Sequence, residues 1–299
     1  MASVTIFSPA KINLFLAVTG WRDDGYHELV SVAAPLDFGD QLSAEAGGRR
    51  PAAGDRFSVE CNDPEVPVGE ANLVGRAARM FAGRTGWDEP VHFQLAKRIP
   101  MSAGLGGGSS NAVAALRALN DISGRRLAPD ALADLAGRLG SDCALFLRDG
   151  PAIMRGRGER VEPPPAGAVR RLRGRRVLLF KPAFGIDTPW AYARLAVQAP
   201  GSYLPAAEAE RRLAAWTEGD APAEELLFNS FEPVVFGKYL ALPALMNQLR
   251  AEFGLAPLLS GSGSAGFVLL SPTTPVDDVI ARIREAWGPA CFVQPAQIA

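Results

Sequence analysis

The stretch PMSAGLGGGSSNA, from Pro100 to Ala112, decides how the rest of the chain is read. It follows the strand-like run VHFQLAKRI, residues 91–99, and opens a helical pattern over residues 109–119 with Val113, Leu116 and Leu119 on one stripe. Glycines at 104, 106, 107 and 108 carry no Cβ, so backbone amides there can come close to a ligand. The helix that begins behind them adds its positive end. Strand, glycine turn and helix start in this order make a phosphate cradle; a flexible glycine turn with a serine cap is the structural alternative. No lysine follows the glycines, which excludes a Walker A loop.

Strand-like runs occupy residues 4–7, 12–19, 30–38, 57–61 and 91–99, and recur at 176–182, 266–270 and 291–294. Helical patterns fall at residues 72–82, 109–119, 129–139, 206–216, 243–253 and 276–287; in the first, Leu73, Ala77, Met80 and Phe81 supply the apolar positions. Blocks of such unequal length and order predict an α+β fold rather than a regular doubly wound sheet. The segment 162–176, with Pro163, Pro164 and Pro165 followed by Arg170, Arg171, Arg173, Arg175 and Arg176, is the expected inter-lobe connection. It divides the chain into 1–165 and 166–299. No aromatic residues interleave with those arginines, so the run reads as a solvated linker rather than a nucleic-acid patch.

Composition sets limits on the whole chain. Its 299 residues carry 48% hydrophobic and 21% charged side chains, enough for a substantial core and unlike a disordered chain. Lys plus Arg number 31 against 32 Asp plus Glu, a net charge of −1, so no global field attracts nucleic acid or anionic lipid and any phosphate recognition must be local. Cys61, Cys143 and Cys291 lie far apart, with only His27 and His92 to join them, and form neither a zinc spacing nor a disulfide framework. No apolar run approaches ~18 residues, and Ser8, Pro9 and Lys11 interrupt the first apolar stretch. The expectation is a cytoplasmic protein, monomeric or weakly dimeric, without membrane or nucleic-acid partner.

Three further segments carry chemistry. LSGSGSAGF places Gly261, Gly263 and Gly266 at dinucleotide-motif spacing, but a strand, FVLLS, follows where that motif requires a helix, so a tight turn is the reading from context. SPAKINLFL buries Lys11 in an apolar strand, either as a snorkelling lysine or as one with a partner, and GYH follows at residues 25–27. In GSDCALFL, Asp142 lies just past an expected helix end, as a cap or as a catalytic carboxylate.

Together SPAKINLFL, GYHEL, PMSAGLGGGSSNA, GSDCALFL with the later GRGE, and LSGSGSAG resemble the GHMP kinases, the superfamily named for galactokinase, homoserine kinase, mevalonate kinase and phosphomevalonate kinase. The likeness extends in order along almost the whole chain. It is strongest to members that phosphorylate the 2-hydroxyl of a cytidyl diphosphate-linked methylerythritol, in a non-mevalonate route to isoprenoid precursors. The fold so implied has an amino-terminal lobe resembling ribosomal protein S5 and a ferredoxin-like carboxy-terminal lobe, with ATP and substrate in the cleft between them. By resemblance Asp142 is the catalytic base and Lys11 the residue beside it, while Asn13 holds the acceptor end of the substrate. Tyr26 and His27 match the cytosine-binding pair, Tyr192 a second aromatic wall, and PAFGIDTPWAY supplies Thr188. Asn72 and Lys97 match positions that line the ATP site, with Pro100, Gly104, Leu105, Gly106, Gly107, Gly108, Ser109 and Ser110 as the phosphate loop. Mg²⁺ is implied as the partner of ATP, without a carboxylate role for Asn111. Valine at Gly107 is expected to clash with phosphate while leaving folding intact. Another GHMP kinase, acting on a sugar or a mevalonate-like alcohol, and a catalytically silent ligand-binding member are the alternatives.

Overall fold

Pro9 does not end the first strand. In a computed structural model that describes residues 2–47, 56–67, 69–124 and 127–299, β1 runs without a break over Ser3–Trp21, where two strands are expected. Gly39 in β2 (His27–Ala46) explains the tolerance: a Cβ there would lie 2.3 Å from the Ser8 carbonyl oxygen and 2.7 Å from Pro9 Cα, so only glycine lets the two backbones close around the proline. Both strands are long enough to serve two compact units. Unit 1 comprises Met1–Ala10, Phe38–Met101 and Gly106–Arg148; unit 2 comprises Lys11–Asp37, Ser102–Leu105 and Asp149–Ala299.

In unit 1, β3 (Phe57–Cys61) runs parallel to β4 (Val91–Ala96), which pairs antiparallel with β2 from Gln41↔Ala96 to Ala46↔Val91. Three helices, α1 (Leu73–Thr85), α2 (Gly107–Ile122) and α3 (Pro129–Leu139), pack on one another. Helix α1 buries Val74, Ala77, Ala78 and Phe81, so its core face is turned from the expected stripe and leaves Leu73 and Met80 half-buried. Strand β4 stops at Ala96 rather than Ile99, because the next backbone amides bond to side chains, Lys97 N to Asn62 Oδ1 and those of Arg98 and Ile99 to Asp40 Oδ1, instead of a neighbouring strand.

In unit 2, β5 (Ala152–Gly156) pairs antiparallel with β2 and with β6 (Arg160–Glu162). The segment expected as a solvated linker instead holds a helix, α4 (Ala166–Leu172), that buries Ala168 and Leu172. Arg171 lies over the Trp216 ring at 4.7 Å and donates to the Trp216 carbonyl at 2.5 Å. Next come β7 (Arg176–Lys181), α5 (Thr188–Val197), α6 (Ala206–Glu218), β8 (Phe228–Asn229) and α7 (Glu232–Phe236), then α8 (Ala241–Phe253), β9 (Leu258–Leu259), β10 (Gly266–Leu269), α9 (Val276–Trp287) and β11 (Phe292–Gln297). Strands β11, β7, β10 and β9 form an antiparallel sheet in that order, while β8 joins β1 in parallel, with Phe15 opposite Phe228. Trp287 of α9 meets Phe180 at 5.8 Å, and a Cβ at Gly266 would lie 2.7 Å from Met246 of α8, so both helices cover this sheet. The α+β class expected from the unequal blocks is the class adopted.

Candidate active site

The first turn of α2 begins at Gly106, whose φ of 72° places it in the left-handed region and which offers no side chain to cap the helix. The first N–H groups of α2 therefore have no intrahelical acceptor and no capping side chain, the arrangement in which a helix start receives an anion. The glycines differ in what they permit. Gly108 is exposed, and a Cβ on it would meet only Leu73 at an ordinary 3.5 Å. Gly107 is buried, and a Cβ there would lie 2.8 Å from Lys97 Nζ and 3.1 Å from Ile99. Valine at Gly107 would thus strain the fold as well as the loop, which corrects the expectation that folding survives it. Of the two loop serines, Ser110 is buried and accepts a hydrogen bond from Ser8 Oγ at 2.8 Å. Ser109 is half-exposed and lies against Cys143, whose thiol burial pushes up to about 12.

In unit 2, the Ser102–Leu105 part of the loop lies along the second glycine segment. Ala265 N donates to Ala103 O at 3.0 Å, and Ser260 Oγ donates to Gly104 O at 3.1 Å. Gly104, at φ 73°, comes so near that a Cβ would sit 2.0 Å from the Ser260 carbonyl oxygen, so this glycine answers to backbone packing. The second segment is a tight turn closed by Ser260 N to Ala265 O at 2.9 Å, as its context predicts. Asn229, which nothing in the sequence singled out, holds it by donating to Leu259 O and Gly261 O at 2.7 and 2.8 Å. Beside it, Lys11 is 3% exposed and donates to Asn13 Oδ1 at 2.5 Å. Asn13 donates to Ser31 Oγ at 3.0 Å, and Ser31 to the Phe15 carbonyl at 2.7 Å, so a buried relay fixes the lysine head from behind. Thr188 joins the same turn through a 2.8 Å hydroxyl contact with Ser262. Pro100 is half-exposed, and Leu105 is buried with its carbonyl accepting from Lys11 N at 3.0 Å.

His27 is enclosed by aromatic rings. Tyr192 on α5 lies 4.8 Å away at 35°, with Trp21 and Tyr203 edge-on at 4.7 and 5.8 Å. Burial pushes its pKa below the usual imidazole value, which keeps the ring neutral near pH 7. Its Nε2 is buried and has no hydrogen-bond partner among the described residues. Tyr192 also meets Phe231 edge-on at 4.8 Å. Tyr26 stands 48% exposed with the Arg157 guanidinium 4.8 Å over its ring.

Asp142, in unit 1, occupies the N-cap position of the 3-10 turn Cys143–Leu147, yet its side chain makes no capping hydrogen bond there. Asn72 does act as a cap: its Oδ1 accepts from Val74 N at 2.9 Å, and its Nδ2 donates to Pro67 O at 2.8 Å. Lys97 donates to Asp40 Oδ2 at 2.6 Å, deep in unit 1. Asp40 is the residue that motif reading missed; the only signal is an acid inside an apolar run, and its partners lie 57 to 71 positions away.

The GHMP kinases N terminal domain matches residues 72–152. A 4-diphosphocytidyl-2-C-methyl-D-erythritol kinase of Methylacidiphilum infernorum is 36% identical over 299 residues, covering 99% of this chain and 96% of its own. One from Pelotomaculum thermopropionicum is 36% identical over 286 residues, 94% of each chain. A crystal structure of 4-(cytidine 5'-diphospho)-2C-methyl-D-erythritol kinase superposes with a TM-score of 0.74 at 33% identity, over 99% of this chain and 100% of that one. A mevalonate kinase, 12% identical with a TM-score of 0.72 over 99% of each chain, shares the fold alone. By this near-complete similarity, the chain belongs to the 4-diphosphocytidyl-2-C-methyl-D-erythritol kinase family of the GHMP kinases.

Proposed function

We propose that this protein transfers the γ-phosphoryl group of ATP to the 2-hydroxyl of 4-diphosphocytidyl-2-C-methyl-D-erythritol, and that the residues described above divide that work. The observation that carries this reading is the first turn of α2, whose N–H groups have no capping side chain and whose Gly108 stands open to a phosphate. The Asp142 carboxylate accepts the proton of the 2-hydroxyl. That oxygen then forms its bond to the γ-phosphorus as the bond to the β,γ-bridging oxygen breaks, and ADP leaves. The Lys11 ammonium, fixed through Asn13 and Ser31, stabilises the charge that develops on the acceptor oxygen. Since phosphoryl transfer is largely positioning and charge stabilisation, the loop contributes as much as the base.

His27 and Tyr26 bind the cytosine with Tyr192, and the unpartnered Nε2 of the neutral His27 is the atom that reads the base edge. Thr188 lines the same substrate. Asn72 belongs to the adenine end through the segment it holds in place, and Lys97 belongs to the ATP site beside the phosphate loop. When bound, Mg²⁺ neutralises charge on the phosphate oxygens. Cys61, Cys143 and Cys291 are free thiols, consistent with a reducing cytoplasm, and no described helix is long and apolar enough to cross a membrane. The enzyme works as a monomer or a weak homodimer.

The test is ADP release with the cytidyl substrate, mevalonate, galactose and homoserine in parallel, with phosphorus NMR of the product. Turnover confined to the cytidyl substrate, with a new phosphomonoester on its 2-oxygen, is expected. Equal turnover of mevalonate, or none with any acceptor, would overturn the reading.

A further inference from the structure

One buried carboxylate grips the glycine loop on both sides. Asp40 has 0% exposure and lies in β2, outside every motif that identifies the family. Its Oδ1 accepts the backbone N–H groups of Arg98 and Ile99 at 2.7 and 2.8 Å, the last two residues before Pro100. Its Oδ2 accepts Lys97 Nζ at 2.6 Å and Asn111 Nδ2 at 2.9 Å, and Asn111 stands one turn into α2. The Lys97 ammonium in turn reaches within 2.8 Å of where a Cβ on Gly107 would be.

A charge so deeply buried is retained only when its lone pairs are used, and a well-packed apolar side chain would stabilise a core at least as well. Four donors from the two ends of one loop give this carboxylate a task that packing alone does not. We infer that Asp40 is a positioning residue for nucleotide binding: it fixes both anchor points of the phosphate loop and sets the Lys97 cation against the first turn of α2. There the ammonium, its charge balanced by Asp40, stands beside the helix start that receives the phosphates. The inference rests on the proposal that this loop binds ATP.

The informative substitution is Asp40→Asn. An amide oxygen can still accept from Arg98 and Ile99, but its NH₂ then faces two donors, Lys97 Nζ and Asn111 Nδ2, so the side-chain anchors are lost while the backbone bonds survive. The expected result is a rise of about tenfold or more in KM for ATP and in Kd for ADP, the scale of a lost charge-assisted hydrogen bond. KM for the cytidyl substrate should stay within about threefold. Asn111→Ala removes the α2 anchor and leaves the Asp40–Lys97 pair intact, so it should show the same pattern to a smaller degree and decides the matter if Asp40→Asn does not fold. Folded variants with lower melting temperature but unchanged Kd for ADP would overturn the inference. Wild-type protein that binds no ADP would instead overturn the reading of the loop.

Discussion

At the scale of single residues, Asp142 separates chemistry from packing. Because its side chain makes no capping bond to the turn it begins, Asp142→Asn removes charge without removing a cap. Turnover should fall by on the order of 10² to 10⁴ with melting temperature nearly unchanged, measured as kcat beside a thermal melt. Lys11→Met should produce a comparable loss, and the double variant should lose less than the product of the two, since groups acting as a unit are not additive. Tyr192 has two roles in the structure, against His27 and against Phe231, so Tyr192→Ala should weaken the cytidyl substrate by about 1 to 3 kcal/mol and also lower stability. ATP affinity should hold; an equal loss for both ligands would make it a packing residue alone. Dense motifs single out Lys11, Asn13 and His27 as candidates, and the structure joins the first two by a hydrogen bond and sets the third among aromatic rings. Asp40 was not legible, since a carboxylate whose partners arrive from β4 and α2 has no local pattern to mark it. Nor could spacing reveal that Gly104 packs against the Ser260 carbonyl.

Among the elements, α2 offers the sharpest comparison. Gly108→Ala places its methyl at an ordinary distance from Leu73, so the protein should fold normally while ATP affinity drops; Gly104→Ala, at positive φ and against a carbonyl, should fail to fold stably. Circular dichroism and ADP titration of the two variants distinguish these outcomes. Asn72→Ala should cost about 1 kcal/mol of stability through the lost cap of α1. Long periodic segments such as α3 and α9 were readable from their stripes, and their bounds match expectation. Failures came where tertiary contacts override the local signal. Gly39 carries β1 through Pro9, Asp40 ends β4 early, and Trp216 gives Arg171 a surface on which a proline- and arginine-rich run becomes helical.

For the whole molecule, pH dependence follows from His27. Its folded pKa is lowered, so the unfolded chain binds a proton that the folded chain resists; stability is full above the ordinary imidazole value of about 6.5 and is lost as pH falls through that window. Glu232, whose pKa burial raises, works in the opposite sense, favouring the folded state at lower pH. The difference between wild-type and His27→Gln melting curves from pH 7.5 to about 5 isolates the histidine, and parallel curves would mean that its ring is not held neutral. The α+β class was legible in the order of blocks. The grouping into contact units was not, because β1 and β2 each contribute to both.

That sharing has a bearing on how the chain is made. Ribosomes deliver the amino terminus first, so every segment of unit 1 has been synthesised by Arg148, while β1 must wait for Phe228 and Asn229 before its pairing along Phe15 and Leu16 is complete. During roughly 80 residues of further synthesis, a few seconds to a quarter of a minute at ordinary translation rates, that apolar strand edge stays open to other chains. Slow translation or chaperone depletion should therefore raise the aggregated fraction, and a nascent chain arrested before β8 is the species in which to look for it.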